Sequence, residues 1–187
     1  MRTIARITSS SLLIICLVVL TGCHRFLVPA NAPSSKIALT TAHGRYVIAQ
    51  GKDKGWSLSQ SDDREPGQCG WFTLYDLGED ELKNHRVALK TCWDRFITAP
   101  RRGTSRLDRE AWQESGLGDC GQFTLERHGD AFALKTCAGK YLTAGDDGRE
   151  WPMPWAIVVE NPKVDEWEMF RFYPGDNKAP PWLVIKK

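Results

Sequence analysis

The sequence predicts an all-β protein built as a single β-trefoil of three four-stranded repeats. The main observation is a ten-residue phrase that occurs three times, with starts 50 and 45 residues apart. Around each copy, apolar residues alternate with polar ones over short runs, which is the pattern of half-buried strands. No segment shows the 3.6-residue periodicity of an amphipathic helix. The three copies of the phrase occupy residues 37–46, 87–96 and 132–141.

Each repeat supplies four strands. Within the phrase, two strands flank a tight turn whose third position is Gly44, Asp94 or Gly139. Glycine, and less readily aspartate, tolerates the positive φ that a two-residue hairpin turn requires. The variable third strands are predicted at 56–59, 105–108 and 155–159, and the fourth strands at 69–74, 120–125 and 167–172.

Twelve strands in three equivalent units favour closure into a three-fold barrel. Three blades are too few for a propeller, and a solenoid would need distinct terminal caps. A closed barrel leaves few open strand edges and buries the same apolar set from every unit. The predicted core consists of Leu39, Leu89, Leu134, Phe72, Phe123, Phe170, Leu74, Leu125 and Phe172.

The repeats also resemble a known family. Residues 87–91 read Val-Ala-Leu-Lys-Thr, residues 132–136 read Phe-Ala-Leu-Lys-Thr, and each copy continues into an aromatic residue and a Thr-Ala pair. Together with the closing Trp167-Glu168-Met169-Phe170, these phrases resemble fascin-like (actin-crosslinking-type) β-trefoil repeats over about residues 36–173. The resemblance implies the trefoil fold. Fascin bundles actin with four trefoils whereas this chain has one, so actin is not an expected partner.

Residues 1–22 are predicted to be a lipoprotein signal peptide. Arg2 and Arg6 precede an uncharged apolar run over 12–20, which is too short to span a bilayer well. The run ends in Leu20-Thr21-Gly22-Cys23, which resembles a bacterial lipobox. That resemblance implies cleavage before Cys23, diacylglycerol on its thiol and an acyl chain such as palmitate on its amine. An ordinary secretory signal with an incidental cysteine is the alternative.

The predicted organisation follows from that cleavage. It comprises the signal peptide at 1–22, a lipidated N-terminus and tether at 23–35, the trefoil at 36–175 and an apolar C-terminal tail at 176–187. His24 stands where lipoproteins retained in the inner membrane carry aspartate, so a Gram-negative host would place the protein in the outer membrane, facing the periplasm or the surface. The chain has 25 basic and 23 acidic residues, and cleavage removes two arginines. The neutral mature chain argues against nucleic acid as a partner.

Four cysteines remain in an oxidising compartment, which favours disulfides over a thiol site. Reflection about the turns that join consecutive units places the cysteines opposite one another, together with Phe72 opposite Leu89 and Phe123 opposite Leu134. At the third junction both cysteines are missing, since Trp167 and Ala42 hold those positions. A zinc site or redox pair is the alternative, but no Cys-x-x-Cys pair is present. The predicted disulfides are Cys69–Cys92 and Cys120–Cys137.

Candidate binding residues lie where the three copies differ. Arg101 and Arg102 belong to a basic cluster near Trp112 that could bind an anion, although alternation with acidic residues also fits a solvated strand face. Trp151 and Trp155 bracket an aromatic, proline-rich loop that lengthens the third repeat. Exposed indole rings suit sugar stacking, whereas buried tryptophans would simply pack under loops.

The sequence contains no convincing catalytic constellation, metal site or cofactor motif. We therefore expect a non-enzymatic, membrane-anchored binding module of the bacterial cell envelope that recognises a glycan, an envelope polymer or a protein. A structural or assembly lipoprotein, docking another envelope protein through the 151–155 loop or the tail, is the second hypothesis. A hydrolase ranks third and would require convergent carboxylates in a cleft.

Overall fold

The structure is a computed structural model that describes residues 27–80, 83–100, 110–145, 156–159 and 161–173. These residues form twelve β-strands, and their helical turns are short 3₁₀ segments. The strands are β1 (Ser34–Thr41), β2 (Tyr46–Ala49), β3 (Leu58–Ser61), β4 (Phe72–Glu79), β5 (His85–Lys90), β6 (Phe96–Thr98), β7 (Trp112–Glu114), β8 (Phe123–His128), β9 (Ala131–Lys135), β10 (Leu142–Ala144), β11 (Ile157–Val159) and β12 (Phe170–Tyr173).

Six strands close into a barrel. β1 pairs with β4 and β12, β5 pairs with β4 and β8, and β9 pairs with β8 and β12, all antiparallel. The other six strands form three hairpins, β2–β3, β6–β7 and β10–β11. Bridges between Ser57 and Trp112, Ser59 and Ala156, and Glu110 and Val158 join these hairpins into what we call the hairpin cap. A six-stranded barrel with three capping hairpins is a β-trefoil, as the sequence predicts.

The core is the predicted one. All nine predicted side chains are at most 6 % exposed, and they belong to a single apolar cluster. The rings of Phe132 and Phe172 stack with centroids 4.6 Å apart. The space left at the barrel centre is about 10 Å³. All three units contribute side chains to this one core, and truncating any of them would open a cavity that destabilises the whole barrel. The three units therefore depend on one another for stability.

The three phrase turns share one geometry. Gly44, Asp94 and Gly139 have φ values of 75°, 60° and 76°, which confirms the predicted left-handed position. In each turn the N–H of the left-handed residue donates to the carbonyl of a threonine three residues earlier. The N–H of that threonine donates to the carbonyl of the residue that follows the left-handed one. The two-residue turn predicted from sequence is therefore wrong. These are three-residue loops, in which a β-turn is followed by one left-handed residue.

Strand boundaries differ from the prediction at several places, and β4, β8 and β12 each begin three residues later than predicted. β1 begins at Ser34, inside the predicted tether, because Ser34 pairs with Tyr75 of β4. β3 begins at Leu58 rather than residue 56, because Trp56 has a left-handed φ of 60° that no strand accommodates. The third strand of the second unit is β7, while the predicted segment 105–108 lies outside the described residues.

Both disulfides join consecutive units. Cys69–Cys92 and Cys120–Cys137 have Cα–Cα distances of 5.1 and 5.0 Å, and these are the pairs that the sequence predicts. At the junction without cysteines, Trp167 packs edge-to-face against His43, with ring centroids 6.0 Å apart. An aromatic contact therefore holds the position that a covalent bond holds in the other two junctions.

The strand register used to predict those pairs is wrong by two residues. Leu89 lies opposite Leu74 rather than Phe72, and Leu134 lies opposite Leu125 rather than Phe123. The reason is that the turn between the strands is centred one residue later than the prediction assumes, since the ladder continues to His128 opposite Ala131. The cysteines still meet because each lies outside the ladder, in a one-turn 3₁₀ helix just before its strand.

Each disulfide should stabilise the trefoil. The bonds span 23 and 17 residues, so replacing both cysteines of either pair by alanine should lower the free energy of unfolding by about 3 kcal/mol, because the unfolded chain gains loop entropy. Chemical denaturation of the two double variants would measure this loss. A double variant as stable as the oxidised wild-type protein would contradict the role of that bond.

Candidate binding surface on the hairpin cap

Most residues that the sequence selects as a binding surface lie outside the described residues. These are Arg101, Arg102, Trp151 and Trp155, and the predicted lipidation site Cys23 also lies outside. Trp112 is described, and it is half-buried in β7. Its indole N–H donates to Oε1 of Glu114 at 3.0 Å, within the same strand. Trp112 thus lies at the contact between the first and second hairpins of the cap, where Ser57 bridges to it.

The structure brings together a different aromatic group, which we call the tryptophan platform: Trp56, Trp93 and Arg95. The rings of Trp56 and Trp93 meet edge-to-face with centroids 6.1 Å apart. The guanidinium carbon of Arg95 lies 4.3 Å from the centroid of the Trp56 ring, which is a cation–π contact. The platform joins the loop after β2 to the turn after β5, so it forms only when the first two units pack together.

Trp93 is the exposed part of the platform. The residue is 47 % exposed and lies at the tip of a hydrogen-bonded turn. The indole N–H donates to the carbonyl of Ala49 at 3.3 Å, which fixes the ring. Gly51 lies against the ring, since a Cβ built there would be 3.4 Å from Cζ2 of the indole. An apolar, oriented surface is therefore presented to solvent.

Trp56 is held in an uncommon backbone conformation. Its φ of 60° is left-handed, which costs a bulky residue roughly 1–3 kcal/mol. Gln113 of β7 holds this loop, since its buried Nε2 lies within hydrogen-bond distance of three carbonyls, those of Gln50 (2.8 Å), Trp56 (3.1 Å) and Ser57 (3.2 Å). The hydroxyl of Thr91 donates to Oε1 of Gln113 at 2.7 Å. One buried amide thus ties the strained loop to the second unit.

The backbone of Gln113 also positions Arg95. Nε and Nη2 of Arg95 both lie 3.3 Å from the carbonyl oxygen of Gln113, so the guanidinium plane is fixed against the Trp56 ring. Among the described residues, no carboxylate forms an ion pair with Arg95. The neighbouring carboxylate of Asp94 pairs instead with Lys90. The platform therefore carries a half-buried positive charge next to an exposed indole.

A cleft of about 210 Å³ is lined in part by the loop that carries Trp56. It is formed where the third strands of the three units meet, and it mixes polar and apolar groups with one residue of each charge sign. Its lining residues are Gln50, Lys54, Ser57, Leu58, Ser59, Glu110 and Ala156.

The third unit contains a buried carboxylate, Glu168. Its Oε1 accepts from the hydroxyl of Thr143 at 2.8 Å and its Oε2 from the N–H of Asp165 at 3.0 Å, within a capping box. Burial raises the pKa of Glu168 to about 7. A hydrogen bond between the side chains of Asp165 and Glu168 lowers the pKa of Asp165. The equivalent positions, Gly70 and Gly121, lack room for a side chain, since a Cβ would lie 2.8 and 3.0 Å from neighbouring atoms.

The sequence predicts Trp112, Trp151 and Trp155 as binding residues but not Trp56 or Trp93. A usable signal exists at the tip of the phrase turn, where the three copies hold His43, Trp93 and Ala138. A large apolar residue at an exposed turn tip, in only one of three equivalent copies, indicates a role outside the framework. Its contact with Trp56 depends on a left-handed residue that no sequence pattern reveals.

The described residues contain no cluster of three or more His, Cys, Asp or Glu side chains that could hold a metal ion. Within the same ranges, none of the helices has the length and apolar character needed to cross a membrane.

Comparison with known proteins shows the fold. The designed three-fold symmetric protein ThreeFoil is similar, with a TM-score of 0.57, 17 % identity, and coverage of 73 % of this chain and 96 % of its own. The Polyporus squamosus lectin, solved with the human-type influenza-binding epitope Neu5Acα2-6Galβ1-4GlcNAc, is also similar. Its TM-score is 0.53 at 12 % identity, and the match covers 74 % of this chain and 48 % of the lectin chain. Hisactophilin has a TM-score of 0.50 at 19 % identity, and the match covers 73 % of this chain and 95 % of hisactophilin. No protein-family model and no curated protein matches the sequence. At these identities the likeness shows the trefoil alone, and the fascin-like assignment stays a prediction.

The buried carboxylate makes stability depend on pH. Because the pKa of Glu168 is higher in the folded chain than its ordinary value of 4.5, the folded state keeps this proton longer than the unfolded state. Protonated Glu168 therefore contributes fully to the free energy of unfolding below pH 4.5. This contribution, up to about 3 kcal/mol, is lost as the pH rises towards 7.

Substitution of Glu168 by glutamine, which preserves shape, should remove this decline. Denaturation of both proteins between pH 4.5 and 7.5 measures it, and the difference between the two curves isolates Glu168 from other titrating groups. Parallel curves for wild type and Glu168→Gln would show that the carboxylate is ionised throughout.

Proposed function

We propose that the chain is a non-enzymatic binding module of the bacterial cell envelope, anchored by lipid at Cys23, that recognises a glycan. The observation that carries this proposal is the tryptophan platform, where the Trp93 ring is half exposed yet fixed in orientation. A protein that needed Trp93 only for packing would gain more by burying it, since burial of a large apolar side chain stabilises a fold by roughly 1.5–3 kcal/mol.

An indole ring is well suited to a sugar. Its broad apolar face covers the C–H groups of a pyranose, while polar groups around the ring bond to the hydroxyls. Because the Ala49 carbonyl and Gly51 already fix Trp93, binding costs little side-chain entropy. The adjacent cleft supplies hydroxyl, amide and charged side chains from the loop that carries Trp56.

The fold is compatible with this role. One similar structure is a lectin solved with a sialylated glycan epitope, and that ligand belongs to the lectin. The chain covers only 48 % of that lectin. The lectin supports the proposal only through its scaffold, because a trefoil can present a glycan site on loops outside a rigid barrel.

The buried carboxylate of Glu168 is not placed to act in hydrolysis. Glu168 has a pKa near 7, the value expected of a general acid, but it is 1 % exposed and both of its oxygens accept bonds from within the chain. A substrate could not reach it without breaking the capping box. We therefore assign Glu168 to the structure of the third unit.

A lipid anchor at Cys23 would hold the trefoil close to the bilayer. Val28 packs against the outer face of the barrel beside Tyr75 and Leu77. Five residues of fully extended chain reach about 17 Å, so the domain would stay within that distance of the lipid surface. We propose the outer membrane as its location.

Loss of the exposed ring should weaken glycan binding without loss of folding. Trp93→Ala should weaken the binding of any glycan detected on a glycan array about tenfold, because an aromatic contact contributes roughly 0.5–1.5 kcal/mol beyond the apolar area that it buries and about 1.4 kcal/mol corresponds to a factor of ten. Titration followed by tryptophan fluorescence measures the change, and Trp93→Phe should restore part of it.

Trp167→Ala is the matched control, since it removes an indole that packs against His43 at the junction of the third and first units. Equal loss in the Trp93 and Trp167 variants would indicate a general effect on folding. An intact, folded protein that binds no glycan on the array would refute the proposed function, and capture of an envelope protein in its place would favour the docking alternative.

The anchor has its own test. Metabolic labelling with palmitate should label the wild-type chain and not Cys23→Ser, and the variant should appear in the soluble envelope fraction. The domain should still fold, because its disulfides and core lie beyond the tether. Labelling of Cys23→Ser to the wild-type level would contradict lipidation at this residue.

A further inference from the structure

We propose that the ligand of the tryptophan platform is an acidic sugar, whose ring stacks on Trp93 and whose carboxylate bonds to Arg95. This inference rests on the proposed glycan-binding function and narrows its ligand class. It is carried by the charge and geometry of Arg95 rather than by the indole.

Within the ranges that the structure describes, the charge of Arg95 has no counter-ion. Its guanidinium is half-buried against Trp56, and its described hydrogen bonds go to one neutral carbonyl, that of Gln113. Burying a cation without an anion is costly, and a carboxylate would offset that cost. Asp94, the nearest acid in sequence, does not do so because it pairs with Lys90 across the turn.

The donors of Arg95 remain sufficient for a ligand. A guanidinium carries five N–H groups in a rigid fork, and the Gln113 carbonyl engages only Nε and Nη2. Nη1 donates to no described group. A carboxylate bound at a guanidinium forms short, charge-assisted bonds of defined direction, which a neutral hydroxymethyl group cannot match.

The site is organised before any ligand arrives. Gln113 fixes Arg95 through its carbonyl and fixes Trp56 through its side-chain amide. Trp56 keeps its left-handed φ of 60° under this restraint. Strain that a buried amide sustains at the surface is typical of a binding site, where supporting residues hold the contact residues in place.

The test compares sugars that differ only in charge. The folded full-length chain would be titrated with galacturonic acid, glucuronic acid and N-acetylneuraminic acid oligosaccharides and with the methyl ester of each. The indole N–H signal of Trp93 and the Nε–H signal of Arg95 in ¹H–¹⁵N spectra report binding. At least one acid should bind about tenfold tighter than its ester and should weaken as salt is added.

Arg95→Gln should abolish this preference, so that acid and ester bind alike, while Arg95→Lys should retain part of it. Trp93→Ala should weaken acid and ester together. Inorganic phosphate alone distinguishes a carboxylate-sugar site from a general anion site, and phosphate that shifts Arg95 while the acids do not would overturn the inference.

The outcomes separate the two proposals. If neutral glycans shift Trp93 as strongly as acids do, and Arg95→Gln changes nothing, the acidic class is wrong and glycan binding stands. If no sugar shifts Trp93, both proposals fail. If Arg95→Gln does not fold, the salt dependence and the acid-to-ester ratio of the wild-type protein, together with Arg95→Lys, still decide the inference.

Discussion

Closure of the six-stranded barrel is the constraint on which the rest of the structure depends. Each unit contributes leucine and phenylalanine side chains to a core that leaves only about 10 Å³ empty. None of the units could bury that apolar face alone, so the barrel must be completed before any of them is stable. The hairpin cap and its loops then attach to a rigid base. Variation at a turn tip, such as Trp93, costs little because the barrel bears the stability.

The sequence predicts what repeats and fails where the copies diverge. The core residues, the left-handed positions and the cysteine pairs all recur at fixed offsets, so one copy supports the interpretation of another. The register error comes from the turn between units, whose centre lies one residue later than the sequence suggests, with His128 opposite Ala131. The 3₁₀ turns at Cys69 and Cys120 could not be predicted either, because a single helical turn of three residues leaves no periodicity to detect.

The binding surface could be predicted only in part. Abundant tryptophan outside the framework is visible in the sequence, and it indicates an aromatic surface somewhere on the loops. Which rings meet depends on the contact between the first and second units and on the left-handed Trp56. The support from Gln113 joins residues more than 50 positions apart. Long-range bonds of this kind are fixed by topology, and one sequence carries no trace of them.

Comparison of the equivalent glutamines explains why the platform forms on one side of the trefoil only. Gln60 of the first unit corresponds to Gln113, and its amide reaches across to the carbonyl of Gly145 in the third unit. Its Oε1 and the hydroxyl of Thr41 are buried and have no hydrogen-bond partner in the described part of the chain, whereas the Thr91 hydroxyl donates to Oε1 of Gln113. The same framework position is thus fully satisfied beneath Trp93 and incompletely satisfied beneath His43. Because a buried polar group without a partner costs roughly 1–3 kcal/mol, the junction with complete bonding is the one that can best sustain a strained loop and a half-buried cation. The platform therefore lies where the support is strongest.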